Sequence, residues 1–244
     1  MNIMAGQGLT NSSHRVTAVI PAAGSGMRMG SQEAKQYLEI GGKPLLVHTL
    51  RPFQETHSVD SIIIVVPEKD VDYCLHQVVQ RYQLNKVCKV ISGGERRQDS
   101  VRNGIEAVAD TCKWVLIHDG VRPLVSIELI EKVIKAAQRF RAVSTGLPVA
   151  ETIKRVDRKG NVLKTIERSN VWLMQTPQIF GREDIRMAHQ EALKGGWTDA
   201  TDDAFLVEKI GIPVKIIEGE ERNIKITTPH DLQVARFLLS NEPR

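Results

Sequence analysis

Short apolar runs bounded by turn-forming residues recur along the first 150 residues and predict buried β-strands. The runs lie at residues 16–20, 61–66, 86–91, 114–118 and 142–149. Between them, apolar residues recur at helical spacing, as Leu45, Leu46 and Leu50 do in a helix that we expect to begin at Pro44. Strands that alternate with helices favour right-handed crossovers between parallel strands. The pattern therefore predicts an α/β fold with a mostly parallel, twisted sheet.

This alternation breaks at residues 150–171, a segment that we call the arm. Apolar and polar residues alternate there on both sides of the sequence DRKGN, residues 157–161, which predicts a protruding β-hairpin. The arm has many charges and too little apolar surface to be stable alone. We therefore expect it to pack on a second subunit in a homodimer; a solvated hairpin without a partner is the alternative.

Composition narrows the class of protein. Hydrophobic residues make up 41% of the chain, enough for a core without disulfides or metals. Cys74, Cys88 and Cys112 are scattered, which predicts a reduced, cytoplasmic protein. Residues 1–15 lack the apolar centre of a signal peptide, and no run reaches the ~18 apolar residues of a membrane span. We expect a disordered leader over residues 1–15, a single domain over residues 16–244 and no membrane partner.

The net charge of +4 is too small to indicate nucleic acid as a partner but suits anionic substrates. A loop of small residues after the first predicted strand is a candidate binding site for an anionic substrate. Small residues let backbone N–H groups close on a phosphate, and two cations, Arg28 and Lys35, follow the loop. The loop residues are Pro21, Ala22, Ala23, Gly24, Ser25 and Gly26.

Two better-known phosphate loops do not fit this stretch. Met29 stands where a dinucleotide-binding fingerprint needs a small residue, which disfavours an NAD or FAD oxidoreductase. No glycine followed by Lys-Ser or Lys-Thr completes a Walker A loop. Taken alone, the loop could also be a glycine-rich turn beside solvated charges.

The stretch does match the nucleotidyltransferase signature, in which a small-residue loop is followed by G-x-R-M and a lysine. Within that group, PAAGSGMRMG and KQYLEIGGKPLLVHTL resemble the 2-C-methyl-D-erythritol 4-phosphate cytidylyltransferases of isoprenoid precursor synthesis. The resemblance covers roughly residues 16 to 239 and six motifs in order. It implies a Rossmann-like, three-layer nucleotidyltransferase fold, nucleotide binding by the loop residues named above, and catalytic roles for Arg28 and Lys35.

Two further motifs follow predicted strands. The segment SGGERRQDSV at residues 92–101 resembles the family's G-G-[DE]-x-R-x-x-S-V, which implies that Gly94, Glu95 and Ser100 contact the cytosine. Taken alone, Glu95 could simply stand in the first turn of a helix. The segment HDGVRP resembles the family's H-D-x-x-R-P, which implies that Asp119 contacts nucleotide, substrate hydroxyls or Mg²⁺ and that Arg122 binds substrate. An Asp119–Arg122 ion pair or a helix cap is compatible with that role.

His118 is expected to be a buried histidine rather than a base.

The arm carries segments like the family's D-T-[IM]-K-R and T-[IV]-[DE]-R. They imply that Thr152 and Arg168 hold the sugar phosphate across a dimer interface. Thr201 and Lys225 complete the implied substrate site. We expect Lys225 to lie in an alternating strand before a helix that starts at Thr228-Pro229; without the resemblance, a lysine there could be ordinary edge protection.

The resemblance implies attack of a phosphomonoester oxygen on the α-phosphorus of CTP, with release of pyrophosphate. The second pKa of such a phosphate is about 6, so the nucleophile is mostly dianionic at neutral pH and needs no general base. Mg²⁺ on the triphosphate would act with Arg28 and Lys35, while Arg168 and Lys225 orient the acceptor. A ribitol-5-phosphate cytidylyltransferase is the nearest alternative. The mild charge and 5% aromatic content disfavour a nucleic-acid-binding module.

Overall fold

A seven-stranded sheet forms the centre of the protein, which the computed structural model describes over residues 15–24, 34–198 and 200–241. The described residues form eleven strands: β1 (Val16–Pro21), β2 (Glu39–Ile40), β3 (Lys43–Pro44), β4 (Ser61–Val66), β5 (Val87–Ser92), β6 (Trp114–Ile117), β7 (Ala142–Pro148), β8 (Ile153–Val156), β9 (Val162–Ile166), β10 (Trp172–Gly181) and β11 (Lys215–Glu218).

The order of strands across the sheet is β11-β7-β10-β6-β1-β4-β5. Strand β1 pairs in parallel with β4 and β6, β4 with β5, and β7 with β11. Strand β10 lies between β6 and β7 and is antiparallel to both. The predicted α/β fold with a mostly parallel sheet is therefore confirmed.

Helices cover both faces of the sheet. They are α1 (Leu45–Glu55), α2 (Val71–Tyr73, continued by a π-helical turn over Cys74–Gln80), α3 (Arg97–Glu106), α4 (Ile127–Ala137), α5 (Arg182–Lys194), α6 (Asp203–Lys209) and α7 (Pro229–Ser240). Alternate residues of β1 point to opposite faces. Ala18 and Ile20 pack in the cluster formed with α1 and α4, whereas Val19 packs with α3, α5 and α6. These are the three layers that the resemblance implied.

Several predicted boundaries were wrong. Pro44 is the N-cap of α1 and pairs with Glu39, so the helix begins one residue later. Strands β10 and β11 were not recognised as members of the sheet. Lys225 is not in a strand: residues 223–227 have no regular structure, although the predicted helix start after it is confirmed by a capping box between Thr228 and Asp231.

The arm is a β-hairpin, as predicted. Strands β8 and β9 pair antiparallel, and Asp157 accepts the N–H groups of Lys159 and Asn161 in the turn. Gly160 takes a φ of +86° there, which a side chain rarely allows. The arm leaves the sheet at the carboxyl end of β7 and returns at the start of β10. It therefore projects from the edge where the parallel strands end.

At the two ends of the chain, residues 1–14 of the expected leader and residues 242–244 lie outside the described residues. Arg15 is described, and its carbonyl accepts the N–H groups of Lys113 and Trp114 beside β6. None of the described helices combines the length and the apolar character that a membrane crossing needs.

Candidate active site

Two cavities lie side by side at the carboxyl ends of the parallel strands, where α/β sheets bind ligands. The loop cavity, of about 340 Å³, is lined by Pro21, Ala22, Ala23, Gly24, Lys35, Gln36, Gly94, Glu95, Arg96, Arg97, Ser100, Asp119, Val121 and Lys225. The β10 cavity, of about 320 Å³, is lined by Arg97, Asp119, Arg122, Met174, Gln175, Thr176, Gln178, Thr201, Asp202 and Lys225.

Three charged residues line both cavities and form the boundary between them. Asp119 follows β6, and its Oδ2 lies 2.8 Å from Lys225 Nζ. Its Oδ1 accepts a hydrogen bond of 2.9 Å from Arg97 Nε. Arg122, in the β10 cavity, brings its Nε to 3.7 Å from Asp119 Oδ2. One carboxylate is thus surrounded by three cations.

This surplus of cations fixes the charge of Asp119. Burial alone would raise the pKa of its carboxyl group, but Arg97, Lys225 and Arg122 outweigh burial and hold the pKa well below its usual range. Asp119 therefore stays ionised at neutral pH. The cluster therefore presents more positive than negative charge to a ligand, a setting that attracts phosphates.

Hydrogen bonds from the neighbouring strand hold Asp119 in position. Its N–H donates to Thr176 Oγ1 over 3.0 Å. Thr176 Oγ1 in turn lies 3.1 Å from His118 Nδ1, and His118 Nε2 lies 3.1 Å from the carbonyl of Arg122. Because that carbonyl can only accept, His118 carries its proton on Nε2. Burial lowers the pKa of His118 to about 4, so it is the buried, satisfied histidine that the sequence predicted.

The wall of the loop cavity depends on a close approach of three chain segments. A Cβ at Gly93 would lie 2.6 Å from Ala23 Cβ and 2.7 Å from Ser100 Oγ, so only glycine fits between them. Gly94 N–H donates to Ser100 Oγ over 3.1 Å. These contacts join the end of β1, the end of β5 and the first turns of α3 into one surface.

Lys225 is positioned by its neighbours rather than by a strand. Ile226 is fully buried, and its N–H donates to Val121 O over 2.9 Å. Arg122 Nη1 donates to Asn223 O over 2.7 Å. The segment before α7 is therefore tied to the segment after β6, and Lys225 stands beside Asp119 with 38% of its side chain exposed.

One side of the boundary was not predicted from the sequence. Arg97 was not selected, and neither was its second partner Asp203, whose Oδ2 accepts 2.9 Å from Arg97 Nη1. His189 Nε2 lies 3.2 Å from the other oxygen of Asp203. The signal for Arg97 was present, because it occupies the arginine position of the G-G-[DE]-x-R-x-x-S-V motif. Nothing in the sequence connects His189 to that motif.

The remaining predicted residues fall into four groups. Pro21, Ala22, Ala23, Gly24, Lys35, Gly94, Glu95 and Ser100 line the loop cavity, and Arg122 and Thr201 line the β10 cavity. Thr152 and Arg168 are exposed on the arm and line neither cavity. Ser25, Gly26 and Arg28 lie outside the described residues.

Asp119 does not have the surroundings of a protein-held metal site. Both of its oxygens already have a cationic partner, Arg97 on one side and Lys225 on the other. A divalent ion bound directly to this carboxylate would have to compete with them. No group of three or more metal-ligating side chains occurs within residues 15–24, 34–198 and 200–241. A direct Asp119–Mg²⁺ contact stays a prediction that this arrangement does not favour.

Comparison with known proteins gives a consistent result. The family model described as "IspD: 2-C-methyl-D-erythritol 4-phosphate cytidylyltransferase" matches residues 16–241. Relatives named 2-C-methyl-D-erythritol 4-phosphate cytidylyltransferase include those of Syntrophus aciditrophicus, 44% identical over 93% of this chain and 97% of the relative, and of Caldanaerobacter subterraneus, 46% identical over 92% and 98%.

Solved structures agree with the sequence relatives. The 4-diphosphocytidyl-2C-methyl-D-erythritol synthase of Anaerococcus prevotii superposes with a TM-score of 0.82 at 33% identity, covering 93% of this chain and 97% of that one. The 2-C-methyl-D-erythritol 4-phosphate cytidylyltransferase of Thermus thermophilus does so with a TM-score of 0.76 at 33% identity, covering 93% and 99%. These matches favour the first of the two cytidylyltransferase hypotheses and do not support an oxidoreductase.

Proposed function

The chain belongs to the family of 2-C-methyl-D-erythritol 4-phosphate cytidylyltransferases and is a nucleotidyltransferase, and we propose that its two cavities hold the two substrates. The loop cavity takes CTP, and the β10 cavity takes 2-C-methyl-D-erythritol 4-phosphate. The single observation that carries the proposal is the boundary cluster. Arg97, Asp119 and Lys225 line both cavities, so the two phosphate groups meet where positive charge is in excess.

The loop cavity has the features that a nucleoside triphosphate needs. Lys35 reaches it from the short 3₁₀ turn Lys35–Tyr37, and the small residues after β1 leave room for phosphates near the backbone. Glu95 and the groups around Gly94 and Ser100 offer acceptors and donors to the edge of a cytosine ring. Arg28 and the loop residues Ser25 and Gly26 join this site in our proposal by their place in the motif.

The β10 cavity suits a small polyol phosphate. Arg122 and Lys225 supply cations, and Thr201 and Gln178 supply groups that can bind hydroxyls. Thr152 and Arg168 would reach this cavity from the arm of a second subunit. The apolar side chains of Val156, Val162 and Leu163 are at least 50% exposed on the arm, which favours their burial against a partner in a homodimer.

The reaction at the boundary is a displacement at phosphorus. An oxygen of the acceptor phosphate forms a bond to the α-phosphorus of CTP while the bond to the bridging β-phosphate oxygen breaks, and pyrophosphate leaves with its electron pair. The acceptor is already ionised, so no side chain has to remove a proton. Lys35, Lys225 and Arg122 reduce the repulsion between the two anions and stabilise the charge on the transferred group.

Magnesium enters this account as part of the substrate. A triphosphate supplies the oxygen ligands that Mg²⁺ prefers, whereas the Asp119 carboxylate is already paired with cations.

The three free thiols suit a reducing compartment, so we place the enzyme in the cytoplasm. We assign it no nucleic-acid partner, because its net charge is only +4.

The test is release of pyrophosphate from CTP and Mg²⁺, measured in parallel with 2-C-methyl-D-erythritol 4-phosphate and with ribitol 5-phosphate. We expect release with the first acceptor only. Release with ribitol 5-phosphate alone would agree with the assignment of the loop cavity to CTP. It would overturn the assignment of the β10 cavity and the arm to 2-C-methyl-D-erythritol 4-phosphate. No release with either acceptor would overturn the proposed function.

A further inference from the structure

Arg97 stands at the boundary of both cavities with its orientation fixed on two sides. It is the first residue of α3, and 29% of its side chain is exposed. Its Nε donates to Asp119 and its Nη1 donates to Asp203, each over 2.9 Å. Among the described residues, no hydrogen bond of Nη2 is found. Because the guanidinium group is planar, the hydrogen bonds of Nε and Nη1 also fix the direction in which Nη2 points.

A buried pair lies behind Arg97. Asp203, at the start of α6, and His189, on α5, are each only 1% exposed. His189 Nε2 donates to Asp203 Oδ1 over 3.2 Å, because a carboxylate can only accept. Each oxygen of Asp203 therefore has a donor of its own, and neither side chain lines a cavity. Placing an ionised carboxylate in the interior is costly unless it is paired, so Asp203 stays where Arg97 and His189 hold it.

The charges agree with this arrangement. Burial alone would raise the pKa of Asp203, but Arg97 and His189 outweigh burial, so its pKa lies below the usual range. Asp203 thus remains an anion that attracts the guanidinium group of Arg97. Lys225, the other cation that lines both cavities, has 38% of its side chain exposed and a flexible stem. The two cations differ in how firmly the protein holds them.

We propose that Arg97 is a further anion-binding residue of the reaction, in contact with the phosphoryl group being transferred, and that Asp203 and His189 are its positioning residues. This inference rests on the proposed function. As the acceptor oxygen bonds to the α-phosphorus and the bond to pyrophosphate breaks, the Nη2 edge donates to the oxygens of the transferred group. No proton changes place. A donor that is already oriented stabilises a transition state more effectively than one that must reorganise.

The test uses steady-state kinetics of pyrophosphate release on single and double variants. We expect Arg97→Gln to lower kcat by about 10²-fold, and Arg97→Lys to recover little of it, because one ammonium cannot replace the fork of donors. We expect His189→Leu to lower kcat roughly tenfold with KM for CTP nearly unchanged, since it acts through the orientation of Arg97. His189→Gln keeps an N–H at the position of Nε2 and should restore most of the loss.

The double variant separates positioning from general stability. If His189 acts through Arg97, His189→Leu adds less than about a twofold loss in the Arg97→Gln background. The matched control is Arg102→Gln, which removes an arginine of the same helix that pairs with Asp99 and lines neither cavity. We expect its kcat to stay normal.

Two outcomes would overturn the inference while leaving the function intact. The first is an active wild-type enzyme whose Arg97→Gln variant has a nearly normal kcat. The second is a His189→Leu substitution that lowers kcat by the same factor in the wild-type and the Arg97→Gln backgrounds. If His189→Leu does not fold, the inference is decided by the kcat of Arg97→Gln relative to wild type and by the kcat of His189→Gln. An inactive wild-type enzyme would instead be a failure of the proposed function.

Discussion

Replacing Lys225 by glutamine tests the charge at the boundary between the cavities. The change removes an ammonium group that lies 2.8 Å from Asp119 and lines both cavities. A unit charge about 4 Å from an anion contributes ~4 kcal/mol at an effective dielectric constant of about 20. Because 38% of this side chain is exposed and part of the attraction already acts on the bound substrates, we assign about half, ~2 kcal/mol, to the transition state.

A loss of ~2 kcal/mol corresponds to a fall in kcat of about 30-fold. Asp119 keeps Arg97 and Arg122 as partners, so we expect the melting temperature to change little. The assay is pyrophosphate release at saturating CTP and acceptor. The control is Lys215→Gln, which removes a lysine of β11 beside the ring of Phe140 and away from both cavities. A Lys225→Gln enzyme with kcat within about twofold of wild type would refute the electrostatic argument.

Three further predictions follow from the site. Lys35→Ala should lower kcat by about 10²-fold or more, as the loss of one preorganised contact does; near-normal turnover would contradict its role. Mixing Lys35→Ala with Arg168→Ala subunits should restore up to about a quarter of wild-type activity, because half of the random dimers carry one complete site; no recovery would count against an arm that acts in trans. The pKa of His118 falls from 6.5 to about 4 on burial, so its stabilising contribution is complete above pH ~6.5 and is lost towards pH ~4, by about 3 kcal/mol. Urea unfolding at several pH values should show this slope in wild type and not in His118→Asn; equal slopes would contradict it.

The parts of the fold that depend on local pattern could be predicted from the sequence. Ser61–Val66 is an uninterrupted apolar run, and its bounds as β4 agree with the prediction. The turn of the arm has a glycine where φ is positive and an aspartate, Asp157, whose carboxylate accepts the backbone N–H groups of Lys159 and Asn161. In these segments the residues themselves determine the conformation. The placement of Asp119 after β6 follows from the same reasoning, since polar residues at strand ends meet at one edge.

The parts that depend on distant partners could not be predicted in this way. Strand β10 contains Pro177, which lowers the expectation of a central strand. Its place between β6 and β7 depends on pairing with segments up to nearly seventy positions earlier. Lys225 is positioned by hydrogen bonds of its neighbours, from Ile226 to Val121 and from Arg122 to Asn223, and such contacts leave no periodic signal in the sequence. His189 reaches Asp203 because α5 packs against α6, a contact between helices that the sequence does not indicate.

The most direct test of the central claim is ³¹P NMR of a reaction that contains CTP, Mg²⁺, the full-length protein and 2-C-methyl-D-erythritol 4-phosphate. Our account predicts that the phosphomonoester signal disappears and is replaced by two coupled resonances of a new diphosphate, with pyrophosphate formed in equal amount. An unchanged monoester signal, or the appearance of inorganic phosphate without a new diphosphate, would contradict transfer of CMP between the two cavities.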